Sequence, residues 1–283
     1  MEPINSQGNI LFVLVLYKCT VEDCKTFSTL LADLPEEHIN LFVYDNSPNR
    51  QTTSIAVGRY IHDTANGGIG KAYNSACEYA KENHYKWMML LDQDTEFPEG
   101  ALAKYSKAVV DHPDLQMFAP RHKMNTGEYM SPTHYRHKTS RPQKFTLKGI
   151  TEFSKACPVN SGILLTVSSF VKAGGYDETV WLDFSDIRFI EKYKKHFDRF
   201  YIIEDLVCLQ NFSATEKDPE RIIKRHQIYL ECAANYPCDT LSDSIAITYT
   251  TFRKSLSQTY RTRRLKFLTD YWNIFLMKKH HEE

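Results

Sequence analysis

Apolar and polar positions divide the first two thirds of the chain into regular blocks. Ile10 to Tyr17 is an unbroken apolar run of eight residues. Such a run fits a strand covered on both faces, since alternation is needed only where one face meets water. Val21, Phe27, Leu30 and Leu31, ahead of Pro35, predict a helix. Ile39 to Tyr44 predicts a second strand, which stops at the turn-forming cluster Asp45-Asn46-Ser47-Pro48. Arg59 to His62 is a short third strand. The glycine loop Asn66-Gly67-Gly68-Ile69-Gly70 leads into a helix from about Lys71 to Glu82. Trp87 to Leu91 is another apolar strand and ends at Asp92-Gln93-Asp94. Pro98 then opens a helix with Leu102, Tyr105, Val109 and Val110 on one side, and Leu115 to Ala119 is a further strand.

This alternation predicts an α/β fold with a mainly parallel central sheet flanked by helices. Ligands of such sheets bind beyond the carboxyl ends of the strands. The turns Asp45 to Ser47, Asn66 to Gly70 and Asp92 to Asp94 would then face one crevice. From Arg121 to Gly149 the pattern breaks into a polar stretch expected to be a long surface loop or hairpin. Ser161 to Val167 resumes as a strand, Gly174-Gly175 marks a tight turn, Asp183 starts a helix running to about His196, and Tyr201 to Leu209 is a last strand. Helices follow from about Pro219. The expected division is a catalytic domain, residues 1–218, and a helical C-terminal extension, residues 219–283.

Charge and cysteine content narrow the classes. Lysine plus arginine and aspartate plus glutamate number 35 each, which gives no global drive toward nucleic acid. The apolar run of eight is far short of the roughly 20 residues a membrane span needs. No secretion-signal pattern opens the chain. The seven cysteines include no Cys-x-x-Cys pair, so reduced thiols in a cytoplasmic protein, peripheral to a membrane at most, are the expectation.

Chemistry concentrates at the strand ends. Asp92 and Asp94, two residues apart beyond a buried strand, suit a hard divalent cation such as Mn²⁺ or Mg²⁺, which takes oxygen ligands and keeps places for substrate phosphates. The plainer reading is an acidic turn capping the next helix. Asp45 could accept from a base N–H or a ribose hydroxyl, or it could bond its own turn. The Asn66 to Gly70 loop permits close backbone approach before a helix N-terminus that favours anions, yet it matches neither a dinucleotide-binding nor a P-loop spacing. Asp183 and Asp186 stand one helical turn apart. Either could take a proton from an attacking hydroxyl, or Asp183 could cap the helix with Asp186 in its first turn.

Taken in order, Val43 to Ser47, Asn66 to Asn74, Met89 to Thr95, and Asn160 to Leu164 with Gly174 to Arg188 resemble the GT-A-fold inverting glycosyltransferases of family 2, most of all a bacterial rhamnosyltransferase-like branch. The resemblance spans about Ile10 to Ser213. It implies a nucleotide-sugar donor (dTDP-rhamnose or a UDP-sugar) and a glycan acceptor, lipid-linked in a polysaccharide pathway such as O-antigen or capsule. It implies that Asp45, Asn46, Asn66, Gly67, Asn74, Asp92 and Gln93 line the donor pocket. Asp94 would be the main metal ligand with Asp92, and Asp186 the general base with Asp183 beside it. Many relatives carry a histidine after the last strand that completes the metal site; here Gln210 stands there, a weaker and neutral ligand. A catalytically silent sugar-nucleotide or glycan-binding protein of the same fold is the alternative. A nucleotidyltransferase is disfavoured because Lys18 to Asp23 lacks glycine.

From Arg253 onward, eight lysines and arginines face three acids, interleaved with Phe252, Leu256, Tyr260, Leu265, Phe267, Leu268, Tyr271, Trp272, Ile274 and Phe275. Two expectations stand side by side. Basic helices with an aromatic face can lie on an anionic membrane, or the apolar face can pack on the catalytic domain.

Overall fold

The computed structural model describes residues 9–32, 34–35, 39–124, 127–136, 138–141, 147–210 and 218–278. Its strands and helices run in the order β1 (Ile10–Leu16), β2 (Leu41–Asp45), β3 (Arg59–His62), α1 (Gly68–Glu82), β4 (Trp87–Asp92), β5 (Thr95–Glu96), α2 (Ala101–Asp111) and β6 (Met117–Lys123). Next come β7 (Tyr129–Ser131), β8 (His134–Arg136), β9 (Thr139–Arg141), β10 (Gly149–Glu152), β11 (Ile163–Thr166), α3 (Val167–Lys172), α4 (Ser185–Tyr193) and β12 (Arg199–Gln210). The extension holds α5 (Pro219–Ala234), α6 (Leu241–Thr262) and α7 (Lys266–Asp270), which continues as a π-helical turn, Tyr271–Leu276.

The main sheet has the order β10-β12-β6-β11-β4-β1-β2-β3, with β5 added to β12 and β7 to β6. The β3-β2-β1-β4 half is parallel. β11 enters antiparallel between β4 and β6, so the sheet as a whole is mixed. All seven residues of β1 are buried, as a continuous apolar run requires. Alternate residues feed two cores. Leu11, Val13 and Phe42 face α1, α3 and α4 with Tyr73, Phe170 and Phe189. Phe12, Leu14 and Val43 face Leu31, Tyr105 and Phe118 on the opposite side.

Three sequence expectations are corrected. The Val21 to Leu31 helix is only a turn followed by one π-helical turn, Phe27–Leu31. The backbone there is tied down by Thr26, whose N–H donates to Gln93 O at 3.4 Å and whose hydroxyl donates to Thr95 O at 2.9 Å. The strand expected over Ser161 to Val167 gives way to α3 at Val167, because the Thr166 hydroxyl caps that helix by accepting from Ser169 N. The Arg121 to Gly149 stretch is partly strand. β6 runs on to Lys123, paired by β12 and β7, and β8–β9 form a hairpin. Ladder hydrogen bonds are made by the backbone, so polar side chains do not prevent them. Residues 125–126, 137 and 142–146 of that stretch lie outside the described residues, as does 211–213 after β12.

The extension shares a core with the chain before it. Val180, Phe184 and Ile187 pack with Tyr229, Leu230, Ile247, Tyr271 and Phe275. Polar ties reinforce the contact. Arg188 of α4 donates to both oxygens of Asp239 at 3.0 Å. Lys138, between β8 and β9, is buried against Glu191 of α4 (2.5 Å) and Asp243 of α6 (2.7 Å). Glu191 also accepts from Tyr135 and Tyr236 hydroxyls. Three segments distant in sequence therefore meet on the helix that carries Asp186.

Candidate active site

β2 and β4 run parallel to β1, and their carboxyl ends stop at adjacent registers: Asp45 opposite Leu16 and Asp92 opposite Val15. The turn after β4 is held rigidly. Gln93 accepts from Tyr17 N at 2.7 Å and donates to Tyr17 O at 3.2 Å, so its amide is a strut between two strand ends. The Ser161 hydroxyl meets Thr95 Oγ1 at 2.7 Å and accepts from Asp92 N at 3.4 Å. The Asn160-Ser161-Gly162 segment thus has a mechanical role in fixing the acidic turn.

Asp92 is half-buried and Asp94 exposed. Burial, with Asp94 beside it, pushes the Asp92 carboxyl up to about 7, although hydrogen bonds from Gln210 and Tyr73 pull the other way. Gln210 Nε2 reaches Asp94 Oδ1 at 3.2 Å and Asp92 Oδ2 at 3.4 Å. Gln210 Oε1 is buried with no partner. That orphaned oxygen, next to two carboxylates crowding each other, is the fit expected of a hard-cation site. Exchanging the near-isosteric amide O and N would turn Oε1 toward the acids. Among the described residues no cluster of three His, Cys, Asp or Glu side chains could hold a metal. An ion here would take two carboxylates, one amide oxygen, and oxygens from substrate or water, which is the habit of Mg²⁺-type ions.

Asp186 opens α4. Burial pushes its carboxyl up to about 6, with Asp183 adding to the rise and the Ile187 N–H (2.7 Å to Oδ1) opposing it. Its charge adds to the upward push on Asp92, Tyr73 and Tyr176. An aromatic wall joins the two acids. Tyr73 donates to Asp92 Oδ1 at 3.4 Å and lies 5.1 Å from the Tyr176 ring, which stacks on Phe189 of α4 at 4.3 Å. Asp183 does something different. Both its oxygens are gripped by Arg225 of α5, one at 2.9 Å.

Asp45 is fully buried and accepts from Ser47 N, Gln51 N and the Tyr60 hydroxyl at 2.7–2.9 Å. These bonds outweigh the opposing effect of burial, and its carboxyl lies below the usual range. Its carboxylate shapes the β2 turn with at most one acceptor site to spare. Asn46 is buried and donates its N–H to Leu16 O, while its side-chain oxygen has no partner. Asn66, at φ +52°, and Gly67 precede α1, with Gly67 N donating to Asp63. Gly68 stands at φ +84°, and a Cβ there would lie 2.0 Å from Trp181 O. Only glycine allows this loop to touch the segment leading to α4. Asn74 accepts from Tyr176 N and donates to Tyr176 O and Glu178, pinning the chain after Gly175. Beside it a cleft of about 440 Å³ is lined by Asn74, Glu78, Phe170, Val171 and Glu178; none of Asp45, Asp92, Asp94 and Asp186 borders it.

Sequence reasoning missed Thr26, Tyr73, Tyr176 and Arg225. A buried tyrosine on a helix carries no spacing signal that separates it from core, and the partner of Asp183 lies 42 residues away.

The profile of glycosyl transferase family 2 matches residues 24–171, just over half of the chain. The chain belongs to that family. The glycosyltransferase is 22% identical over 210 residues to the dTDP-rhamnosyl transferase RfbF of Shigella flexneri, covering 70% of this chain and 68% of that one. In fold it is similar to S. aureus TarS 1-349 in complex with UDP-GlcNAc (TM-score 0.53, 12% identity, 94% of this chain and 79% of that one). It is also similar to GalNAc-T7 with UDP, GalNAc and Mn²⁺ (TM-score 0.52, 8% identity, 90% and 57%). The architecture is the GT-A fold, and by its family the chain is a glycosyltransferase.

Proposed function

We propose that this glycosyltransferase moves a sugar from a nucleotide diphosphate to a hydroxyl of a glycan acceptor with inversion, and that the acceptor is carried on a lipid. The observation that carries the reading is the Gln210 amide bridging Asp92 and Asp94, with Asp186 in electrostatic reach across the Tyr73–Tyr176 wall. Asp94, Asp92 and Gln210 would hold Mn²⁺ or Mg²⁺. When bound there the ion supplies positive charge to a departing diphosphate.

Asp186 is the general base. It takes the proton of the acceptor hydroxyl as that oxygen bonds to the anomeric carbon and the bond to the diphosphate breaks, a single displacement that inverts configuration. Its raised pKa suits a group that must both accept a proton and release it near neutrality. Asn46, Asn66 and Gly67 line the donor side. Asp45, Gln93 and Asn74 keep that side in shape through the turns they fix. The RfbF relative supports a dTDP-rhamnose donor, and the UDP complexes of the fold relatives support a UDP-sugar.

A panel of UDP-, dTDP- and GDP-sugars with and without Mn²⁺, scored for thermal stabilisation and for product, tests this. A true donor stabilises by mass action and is turned over. Stabilisation by a donor without turnover on any glycan acceptor would instead make the chain a sugar-nucleotide-binding protein.

A further inference from the structure

α6 is packed with its polar side inward. The residues it buries are Ile247, Thr250, Thr251 and Ser255, three of them hydroxylic. Leu241, Ile245, Tyr249, Phe252, Leu256 and Tyr260 recur at steps of three and four, so they form one stripe on the opposite side. All six are between 44% and 89% exposed. Leu265 and Trp272, beyond the helix, are exposed as well. A helix of a water-facing protein ordinarily shows the reverse arrangement. The interior is already closed by Phe267, Tyr271 and Phe275, and apart from Phe252, whose ring meets that of Tyr271 at 5.6 Å, the stripe is surplus to the fold.

We propose that this outward face of α6 seats the protein on an anionic lipid bilayer. The proposal deepens the lipid-carried acceptor of the reaction above and rests on that reading for its purpose. Charge decides the occupant. Arg253, Arg261 and Arg263 are exposed and have no acidic partner among the described residues, whereas Arg264 and Lys266 are paired with Glu220 and Asp270. The sole acid of α6, Asp243, is bound to Lys138. Of these arginines, Arg253 is the one that flanks the stripe at 3.6 residues per turn; a second copy laid along the stripe would bring it no counter-charge from its own α6, while anionic headgroups supply one. Tyr249, Tyr260 and Trp272 join an apolar body to a polar tip, as suits the bilayer boundary. No described helix is long and apolar enough to cross a membrane, so α6 would lie in the interface plane.

The test is sedimentation of the full chain with phosphatidylcholine vesicles, either pure or containing about one third phosphatidylglycerol. The wild type is expected to sediment with the anionic vesicles alone. Ile245→Ser, Tyr249→Ser and Leu256→Ser together should weaken this by roughly tenfold or more. Arg253→Gln should weaken it by roughly fivefold. Thermal melting should stay unchanged, since these side chains face water. A wild type that ignores both vesicles, a triple variant that binds as well as wild type, or a wild-type dimer that the triple variant breaks would overturn the proposal. Transfer to a soluble acceptor, followed in parallel, reports separately on the transferase reading and should survive the triple variant.

Discussion

Arg225 grips both carboxylate oxygens of Asp183. The acid three residues before Asp186 is therefore engaged in holding α5 against the segment that enters α4. Both partners are only partly buried, so the pair contributes modestly to stability. Arg225→Ala leaves Asp183 without a partner and is expected to lower the melting temperature by a few degrees. Asp183→Asn should do less, and the double variant should be no worse than Arg225→Ala. Asp183→Asn should also keep most of its turnover. A loss of rate as deep as that of Asp186→Asn, with unchanged melting, would return Asp183 to the chemistry.

Asp186→Asn should cut kcat by about 10²–10⁴ while leaving donor-induced stabilisation intact. The pH dependence follows from its carboxyl being pushed up to about 6. The base works when deprotonated, so the rate should fall as pH drops through about 6 and level off above it. A rate that is flat from about pH 5 to 8 would assign the base elsewhere.

Asp94→Ala is expected to abolish transfer and the Mn²⁺-linked rise in melting temperature, and Gln210→Ala only to weaken both. Protons and a cation compete for Asp92, whose carboxyl is raised to about 7 without metal. The Mn²⁺-linked rise should therefore be larger at about pH 8 than at about pH 6. Equal rises at the two values, or an Asp94→Ala enzyme as active as wild type, would remove the ion from this turn.

Gly68→Ala combines a left-handed backbone, which alone disfavours alanine by about 1 kcal/mol, with a clash against Trp181 O. The carbonyl also accepts from Ile69 N at 3.0 Å, so the loop cannot simply move away. A loss of several kcal/mol in urea unfolding, or failure to fold, is expected. Wild-type stability would show that the loop and the α4 approach are not in contact.

The sequence made the parallel half of the fold readable because its strands are buried on both faces; Ile10–Leu16 and Trp87–Asp92 need no alternation to announce themselves. β5, with two residues, and β7 to β9, with three each, are too short to show a period and exist because neighbours pair with them. The acids of the candidate site were legible as strand-end residues. Of their partners, Gln210, 116 residues from Asp94, was reached only through the family resemblance. The others were not legible: Thr26 reaches Thr95 across 69 residues, and Arg225 reaches Asp183 across 42. Periodicity in the extension revealed an amphipathic helix but not which side turns inward: Phe267, Tyr271 and Phe275 went to the core, while Phe252, Leu256 and Tyr260 did not. The side is chosen by tertiary packing, which one helix's pattern does not encode.

Lys138 has a consequence for recombining this chain with its relatives. Its ammonium is enclosed by an acid from α4 and another from α6, beneath the Tyr236 ring. A chimera that imports only foreign C-terminal helices would strand a charge in the interior wherever the incoming α6 lacks an aspartate at this place. Swaps that carry Lys138, Glu191 and Asp243 together should yield folded hybrids where cuts at the end of β12 do not.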